Sequence, residues 1–185
     1  GTYTVRMTVG ELVLEQPLEV VKDPNSAGTV EDIEAQVALA RQLRTAAGET
    51  VEVVNRIEWL RAQLEVLVQT TAGHDSAPDI LTQIKAMESK LKELEGRIFD
   101  LRLSGGSAGQ DTLRWPRLLY SRITSLAGTI SGWDHRPTDQ AHEVFEMLQS
   151  ELRDVQSRLI AIETEDMVAL NGFLRDRGVG PIGQE

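Results

Sequence analysis

The chain has 185 residues, 41% of them hydrophobic, which is enough for one domain with a sizeable core. Its formal charge of −10 argues against DNA, RNA or an anionic membrane as the main partner, because those surfaces attract basic patches. The absence of cysteine excludes disulfides and thiol catalysis, and no apolar run reaches the ~18 residues of a membrane span.

Residues 1–24 have the pattern of a β-hairpin, with two alternating runs around a turn at Gly10-Glu11. The apolar positions are Tyr3, Val5, Met7 and Val9 in the first run and Leu12, Leu14, Leu18 and Val20 in the second. Because a lone two-stranded ribbon is marginal in water, we expect it to be the end of an immunoglobulin-like sandwich in a longer protein. The side chains expected to contact missing strands or a second copy are Tyr3, Val5, Val9, Leu14 and Leu18.

Residues 25–28 form a linker, after which the apolar period changes from two to about 3.5. Thr29 is the expected N-cap of the first helix. Residues 29–185 are predicted to be a helical domain with helices at about 29–71, 77–103, 114–132, 138–163 and 166–177. Because the connections look short, the chain is predicted to be mainly α: an antiparallel up-down four-helix bundle with a short C-terminal helix. A coiled-coil dimer is the less favoured alternative, since four stripes can satisfy one another.

Each long helix carries an apolar stripe that is expected to be buried. The first stripe is Ile33, Val37, Ala40, Leu43, Ala47, Val54, Ile57, Leu64 and Val68. The second is Ile80, Ile84, Met87, Leu91, Leu94, Ile98 and Leu101. The third is Leu119, Ile123, Leu126, Ile130 and Trp133. The fourth is Ala141, Phe145, Leu148, Leu152, Val155, Leu159 and Ile162.

The sequence offers little for catalysis. His142 and Glu146 are spaced to share a metal ion, but no third ligand is indicated. The acids at 163, 165 and 166 lack the spacing of a calcium loop and are expected to cap the fifth helix. The glycines of 104–109 are not followed by the Lys-Ser or Lys-Thr of a phosphate loop. We therefore predict no catalytic, cofactor or metal site in this segment.

The three tryptophans, Trp59, Trp115 and Trp133, could line a sugar platform. The favoured interpretation is that they plug the bundle ends and the contact with the β region.

Several segments together resemble a known family. These are Gly1-Thr2-Tyr3-Thr4-Val5-Arg6-Met7-Thr8-Val9, Gln16-Pro17-Leu18-Glu19-Val20-Val21-Lys22-Asp23-Pro24, Pro137-Thr138, Leu170-Asn171-Gly172-Phe173-Leu174 and Gly178-Val179-Gly180-Pro181-Ile182. They resemble the C-terminal region of bacterial exported proteins with sortilin-like (Vps10-type) BNR-repeat propellers, often labelled glycosyl hydrolases. The resemblance implies an upstream propeller that carries any substrate site, and a periplasmic or extracellular location. It transfers no catalytic residue to this segment.

The leading expectation is a non-catalytic C-terminal domain that packs on upstream domains of the same polypeptide or forms a homo-oligomer. One alternative is that the segment contributes an acid or a tryptophan to a glycan-processing site completed by the propeller. A second alternative is an adaptor or sensor bundle that binds an extended helix in a groove.

Overall fold

The computed structural model describes residues 1–100, 102 and 115–183, which are mainly helical and begin with a two-stranded antiparallel hairpin. The strands are β1 (Thr2–Val9) and β2 (Leu12–Glu19). The helices are α1 (Val30–Thr70), α2 (Ala77–Glu95), α3 (Leu119–Ser131), α4 (Asp139–Ala161) and α5 (Met167–Arg175). One π-helical segment, Ile162–Asp166, joins α4 to α5.

The long helix α1 begins at a capping box. The Thr29 hydroxyl accepts the backbone N–H of Asp32 at 3.1 Å, and the Asp32 carboxylate accepts the backbone N–H of Thr29 at 3.1 Å. This arrangement satisfies two backbone donors that the first helical turn leaves without partners. The predicted N-cap at Thr29 is therefore confirmed.

The buried stripe of α1 advances by four and three residues without a break, which is the spacing of a coiled-coil seam. Its members are Leu39, Leu43, Ala46, Thr50, Val53, Ile57, Leu60, Leu64 and Leu67. Of the predicted stripe, Leu43, Ile57 and Leu64 are buried, whereas Val37 and Val68 are exposed. The predicted stripe therefore shares some positions with the observed stripe, but its other members lie on a neighbouring face of the helix.

Helices α2 and α3 contact different levels of α1. The end of α2 lies beside the middle of α1, where the Arg61 guanidinium donates to the Glu95 carboxylate at 2.6 Å. The end of α3 lies near the start of α1, where the Gln36 side-chain amide donates to the Ile130 carbonyl at 2.8 Å. Because α2 starts after the far end of α1, both helices run antiparallel to α1 and follow one another along it.

Helices α4 and α5 run parallel to α1. Arg136, just before α4, pairs with Asp32 at the start of α1 at 2.9 Å. Farther along, Glu163 of the π-helical segment pairs with Arg56 at 2.5 Å. The interior between the helices is one hydrophobic cluster to which α1, α2, α3, α4 and α5 all contribute.

The contacts do not confirm the predicted up-down alternation of four neighbouring helices. The prediction assumed a short connection between α2 and α3, but α2 ends at Glu95 and α3 begins at Leu119. Twenty-three residues, 96–118, separate them, far more than the 2–8 residues that typically join neighbouring helices in bundles. Within this segment, residues 101 and 103–114 lie outside the described part, and with them the glycines of 104–109. The predicted helices at 77–103 and 114–132 are too long, because residues 96–100 and 115–118 are described and are not helical.

Two further boundary predictions are wrong. Thr164 to Asp166 was expected to break the helix, but the chain continues through the π-helical segment into α5. Trp133 was expected on the buried side of helix three, but it lies beyond Ser131 and is 69% exposed. The described members of the predicted second stripe, Ile80 to Ile98, are all buried. The fourth stripe is buried from Phe145 to Ile162, and Ala141 is partly buried.

Candidate interaction surface

The hairpin is built around a two-residue loop. Gly10 has φ +58°, as expected for a type II′ turn with glycine at its first central position. The register pairs Val9 with Leu12, and then every residue in turn as far as Thr2 with Glu19. A two-residue loop of this kind fixes which side chains share a face.

One face of the hairpin is almost entirely apolar. Directly opposite pairs lie on the same face, so this face holds Tyr3, Val5, Met7, Val9, Leu12, Leu14 and Leu18, with Gln16 as its polar member. We call these seven apolar side chains the ribbon face. The opposite face carries threonines and the Arg6–Glu15 ion pair, whose atoms lie 2.6 Å apart.

The ribbon face is open to solvent. All residues of both strands are exposed, and the seven ribbon-face side chains have 47–61% of their surface exposed. The residues that the sequence singled out, Tyr3, Val5, Val9, Leu14 and Leu18, all belong to it. Covering a half-exposed apolar side chain contributes roughly 1 kcal/mol, so covering all seven would contribute roughly 7 kcal/mol.

The linker between β2 and α1 has local hydrogen bonds and one close contact with the helices. Asp23 accepts the backbone N–H of Asn25 at 2.8 Å, and the Lys22 ammonium donates to the Ser26 carbonyl at 2.5 Å. Gly28 is buried against the turn between α3 and α4. A Cβ at Gly28 would lie 1.7 Å from the carbonyl oxygen of Asp134, so this contact has room for glycine alone.

Trp133 is in the same α3–α4 turn that Gly28 contacts. Its exposure means that the prediction of a plug is wrong for this tryptophan. Trp59 and Trp115 are half-buried, with the guanidiniums of Arg56 and Arg102 over their rings at 4.2 and 3.4 Å. The three rings therefore occupy three separate places: α1, the segment before α3, and the α3–α4 turn.

The histidines show no arrangement for catalysis. His74 accepts the Ser76 backbone N–H at Nδ1, and its Nε2 donates to the Arg177 carbonyl, each at 3.0 Å. It thereby ties the α1–α2 turn to the end of α5. His135 and His142 are exposed. Within the described residues there is no group of three His, Cys, Asp or Glu side chains placed to hold a metal ion.

The acidic cluster after α4 pairs with cations instead of capping α5. Asp166 makes no side-chain cap and pairs with Lys90 of α2 at 2.6 Å. Together with the Arg56–Glu163 pair, this contact joins the π-helical segment to α1 and α2. The prediction that these acids cap the fifth helix is therefore wrong for Asp166.

Four acids of the described residues have a shifted pKa, and in each case neighbouring donors lower it. A backbone and a side-chain hydrogen bond from Thr29, with Arg136 nearby, lower the pKa of Asp32. Lys92 lowers the pKa of Glu88, Arg102 that of Asp100 and Arg97 that of Asp154. A general acid for glycoside cleavage needs the opposite shift. These four carboxylates therefore act as ionised partners in ion pairs.

A buried ion pair escaped the sequence analysis. Glu95 is 2% exposed and its carboxylate accepts from Arg61 at 2.6 Å. The Arg61 Nε is itself buried without a hydrogen-bond partner. The signal that could have revealed the pair is positional, since Glu95 directly follows the buried Leu94 and precedes Gly96, where the helix ends.

The comparisons add no relatives to this geometry. No protein-family model, curated protein or solved structure matches the chain. Among the helices described for residues 30–100 and 115–183, none is sufficiently long and apolar to span a membrane. The exposed ribbon face is therefore the feature of the chain that points to a function.

Proposed function

We propose that this chain is a non-catalytic structural and interaction domain at the C-terminal end of a larger exported bacterial protein with a BNR-repeat propeller. The hairpin is the last strand pair of an immunoglobulin-like sandwich, and upstream domains of the same polypeptide are the partners. The periplasm or the extracellular space is the location. The observation that carries this proposal is that one face of the hairpin is apolar while all of its residues are exposed.

The ribbon face is small, with seven half-exposed apolar side chains on two strands, which supports a partner in the same polypeptide. Interfaces between domains of one chain start near 600 Å² in total. Independent proteins usually need ~800 Å² from each partner, because free association costs several kcal/mol of lost motion. A tethered domain avoids most of that cost.

We further propose that the helices form an elongated three-rod bundle in place of the four neighbouring helices that the sequence suggested. One rod is α1, the second is α2 followed by α3, and the third is α4 continued by α5. The 41 residues of α1 give the bundle a length of about 60 Å. Such a bundle is suited to hold the sandwich at a fixed distance from whatever contacts its far end.

Two alternatives receive less support. A glycan-processing role needs aromatic rings beside an acid of raised pKa. The tryptophans lie apart from one another, and the pKa of acids such as Asp32 and Asp154 is lowered. A helix-binding adaptor needs an open apolar groove, whereas the stripes of α1, α2 and α4 are buried within the chain.

The first experiment is to determine the coding sequence that precedes Gly1. We expect repeated Asp-box motifs of the Ser-x-Asp-x-Gly-x-x-Trp type, followed by strands of a sandwich. An initiator methionine directly before Gly1 would contradict the proposal.

The second experiment tests docking in the longer polypeptide. Leu14→Thr removes an apolar side chain from the ribbon face and keeps a β-branched residue suited to a strand. We expect it to increase protease cleavage of the hairpin severalfold. The matched control is Val13→Thr, the neighbouring position on the opposite face with similar exposure. Equal effects of the two substitutions would contradict docking through the ribbon face.

A further inference from the structure

Building on the proposed function, we infer that β1, and not β2, is the strand through which the hairpin joins the larger sheet. The occupant is an extended strand of the upstream sandwich, paired along the outer edge of β1. β2 is then the terminal strand of the combined sheet. The inference follows from the hydrogen-bond phase of the hairpin and from the position of one proline.

The pair at the open end of the hairpin determines which pairs along the two strands are hydrogen-bonded to each other. The Val20 backbone N–H donates to the Gly1 carbonyl at 2.9 Å, and the Gly1 amino group donates to the Val20 carbonyl at 2.6 Å. In an antiparallel ladder, pairs that exchange two hydrogen bonds alternate with pairs that exchange none. Tyr3–Leu18 and every second pair after it therefore exchange backbone hydrogen bonds within the hairpin. The residues between them direct their backbone N–H and C=O groups outward, away from the other strand. In β1 the outward residues are Thr2, Thr4, Arg6 and Thr8, and in β2 they are Val13, Glu15, Pro17 and Glu19.

The outer edge of β2 is unsuited to further pairing. Pro17 lies at an outward position, where it has no N–H to offer a neighbouring strand and where its ring obstructs approach. Of the outward residues on either side of it, Glu19 adds an acidic side chain to this edge, while Glu15 is paired with Arg6 across the hairpin. Proline and charge at outward positions are the devices by which natural sheets keep an edge strand from pairing.

The outer edge of β1 has the opposite character. All four of its outward residues retain a backbone N–H and C=O, and three of them are threonines, which favour strands. Its one charge, Arg6, is already paired with Glu15 across the hairpin. A strand added here would make β1 an internal strand and extend the ribbon face into a continuous apolar layer.

The same edge could in principle pair with a second copy of the chain. The formal charge of −10 on each chain opposes the association of two free copies, and a free copy loses more motion on binding than a tethered strand does. The tethered strand is therefore the occupant that we propose.

The test is amide hydrogen exchange on two forms, the 185-residue chain and the longer polypeptide with its preceding domain. In the longer form we expect the N–H groups of Thr4, Arg6 and Thr8 to exchange at least about a hundredfold more slowly than in the short form. The outward N–H groups of Val13 and Glu15 should change less than about threefold.

A matched pair of prolines tests the edge directly. Arg6→Pro and Glu15→Pro each remove one outward N–H, and each breaks the same ion pair. Neither removes a hydrogen bond within the hairpin. In the longer polypeptide, Arg6→Pro should return Thr4 and Thr8 to their exchange rates in the short form, while Glu15→Pro should leave them protected.

Each other outcome overturns the inference in a distinguishable way. Protection along β2, or equal effects of the two prolines, overturns the choice of β1 and leaves the proposed function standing. Protection of β1 in the short form that increases with protein concentration replaces the upstream strand with a second copy. A preceding segment without strands overturns the proposed function and the occupant together.

Discussion

Gly28→Ala should destabilise the chain because this position is pressed against backbone. The added Cβ would lie 1.7 Å from the Asp134 carbonyl oxygen, about 1.5 Å inside the closest approach that such atoms tolerate. The linker or the α3–α4 turn would have to move by that distance, disturbing the adjacent capping box of Thr29. Overpacking of this kind costs about 1–3 kcal/mol, and we expect about 2 kcal/mol.

Gly48→Ala is the matched control, since the same substitution should have the opposite sign there. Gly48 lies inside α1, where an added Cβ would have nothing within 4 Å, and alanine in a helix is favoured by about 0.5–1 kcal/mol. The assay is urea unfolding followed by circular dichroism, with both variants measured against the parent chain. A Gly28→Ala variant as stable as the parent would refute the close contact between the linker and the turn.

Three further predictions concern side chains that hold the rods together. Asn171→Ala should cost about 1–2 kcal/mol, because the Asn171 amide exchanges two hydrogen bonds of 2.9 Å with the backbone of Ile182 in the C-terminal tail; urea unfolding measures the loss, and an unchanged midpoint would contradict the contact. Glu95→Ala should cost about 3 kcal/mol, because it leaves a partly buried guanidinium without its partner, whereas Glu88→Ala at an exposed pair should cost under about 1 kcal/mol. Because the pKa of Asp32 is lowered in the folded chain, its contribution to stability is present above its ordinary pKa and is lost as the pH falls through the lowered value. Replacing its partner by Arg136→Gln should therefore reduce the acid dependence of the unfolding midpoint, and an identical pH profile would contradict the pairing.

The sequence predicted the elements that depend on local chemistry. The hairpin, its turn and the cap at Thr29 follow from alternation, a glycine and a hydroxyl side chain, and the structure has them where expected. The stripes of α2 and α4 were recovered because each of these helices has one apolar series with a four-three spacing. The role of the ribbon face remains a prediction.

The stripe of α1 was recovered only in part because two apolar series run along this helix one residue apart. One series includes Ala40, Ala47 and Val54, and the other includes Leu39, Ala46 and Val53. A shift of one residue rotates the face by about 100°. The series that is buried is the one that continues through Leu60 and Leu67, and tertiary packing makes that choice.

The path between α2 and α3 could not be predicted because the stripe of α2 continues past the end of the helix. Ile98 is fully buried, yet it lies in a turn after Glu95, so its burial does not require a helical backbone. Likewise, no glycine or proline interrupts residues 160–170, so the sequence holds no strong signal for a break where the π-helical segment lies.

The most direct test of the account is to remove the hairpin and measure the stability of the helices. No residue of β1 or β2 is buried, so a chain that begins at Asp23 should unfold within about 2 °C of the full chain when helicity is followed by circular dichroism. This result is predicted if the hairpin serves a partner and not the bundle. A drop of more than about 8 °C, equivalent to about 2 kcal/mol or more, would contradict the account, because the ribbon face would then stabilise the helices of its own chain.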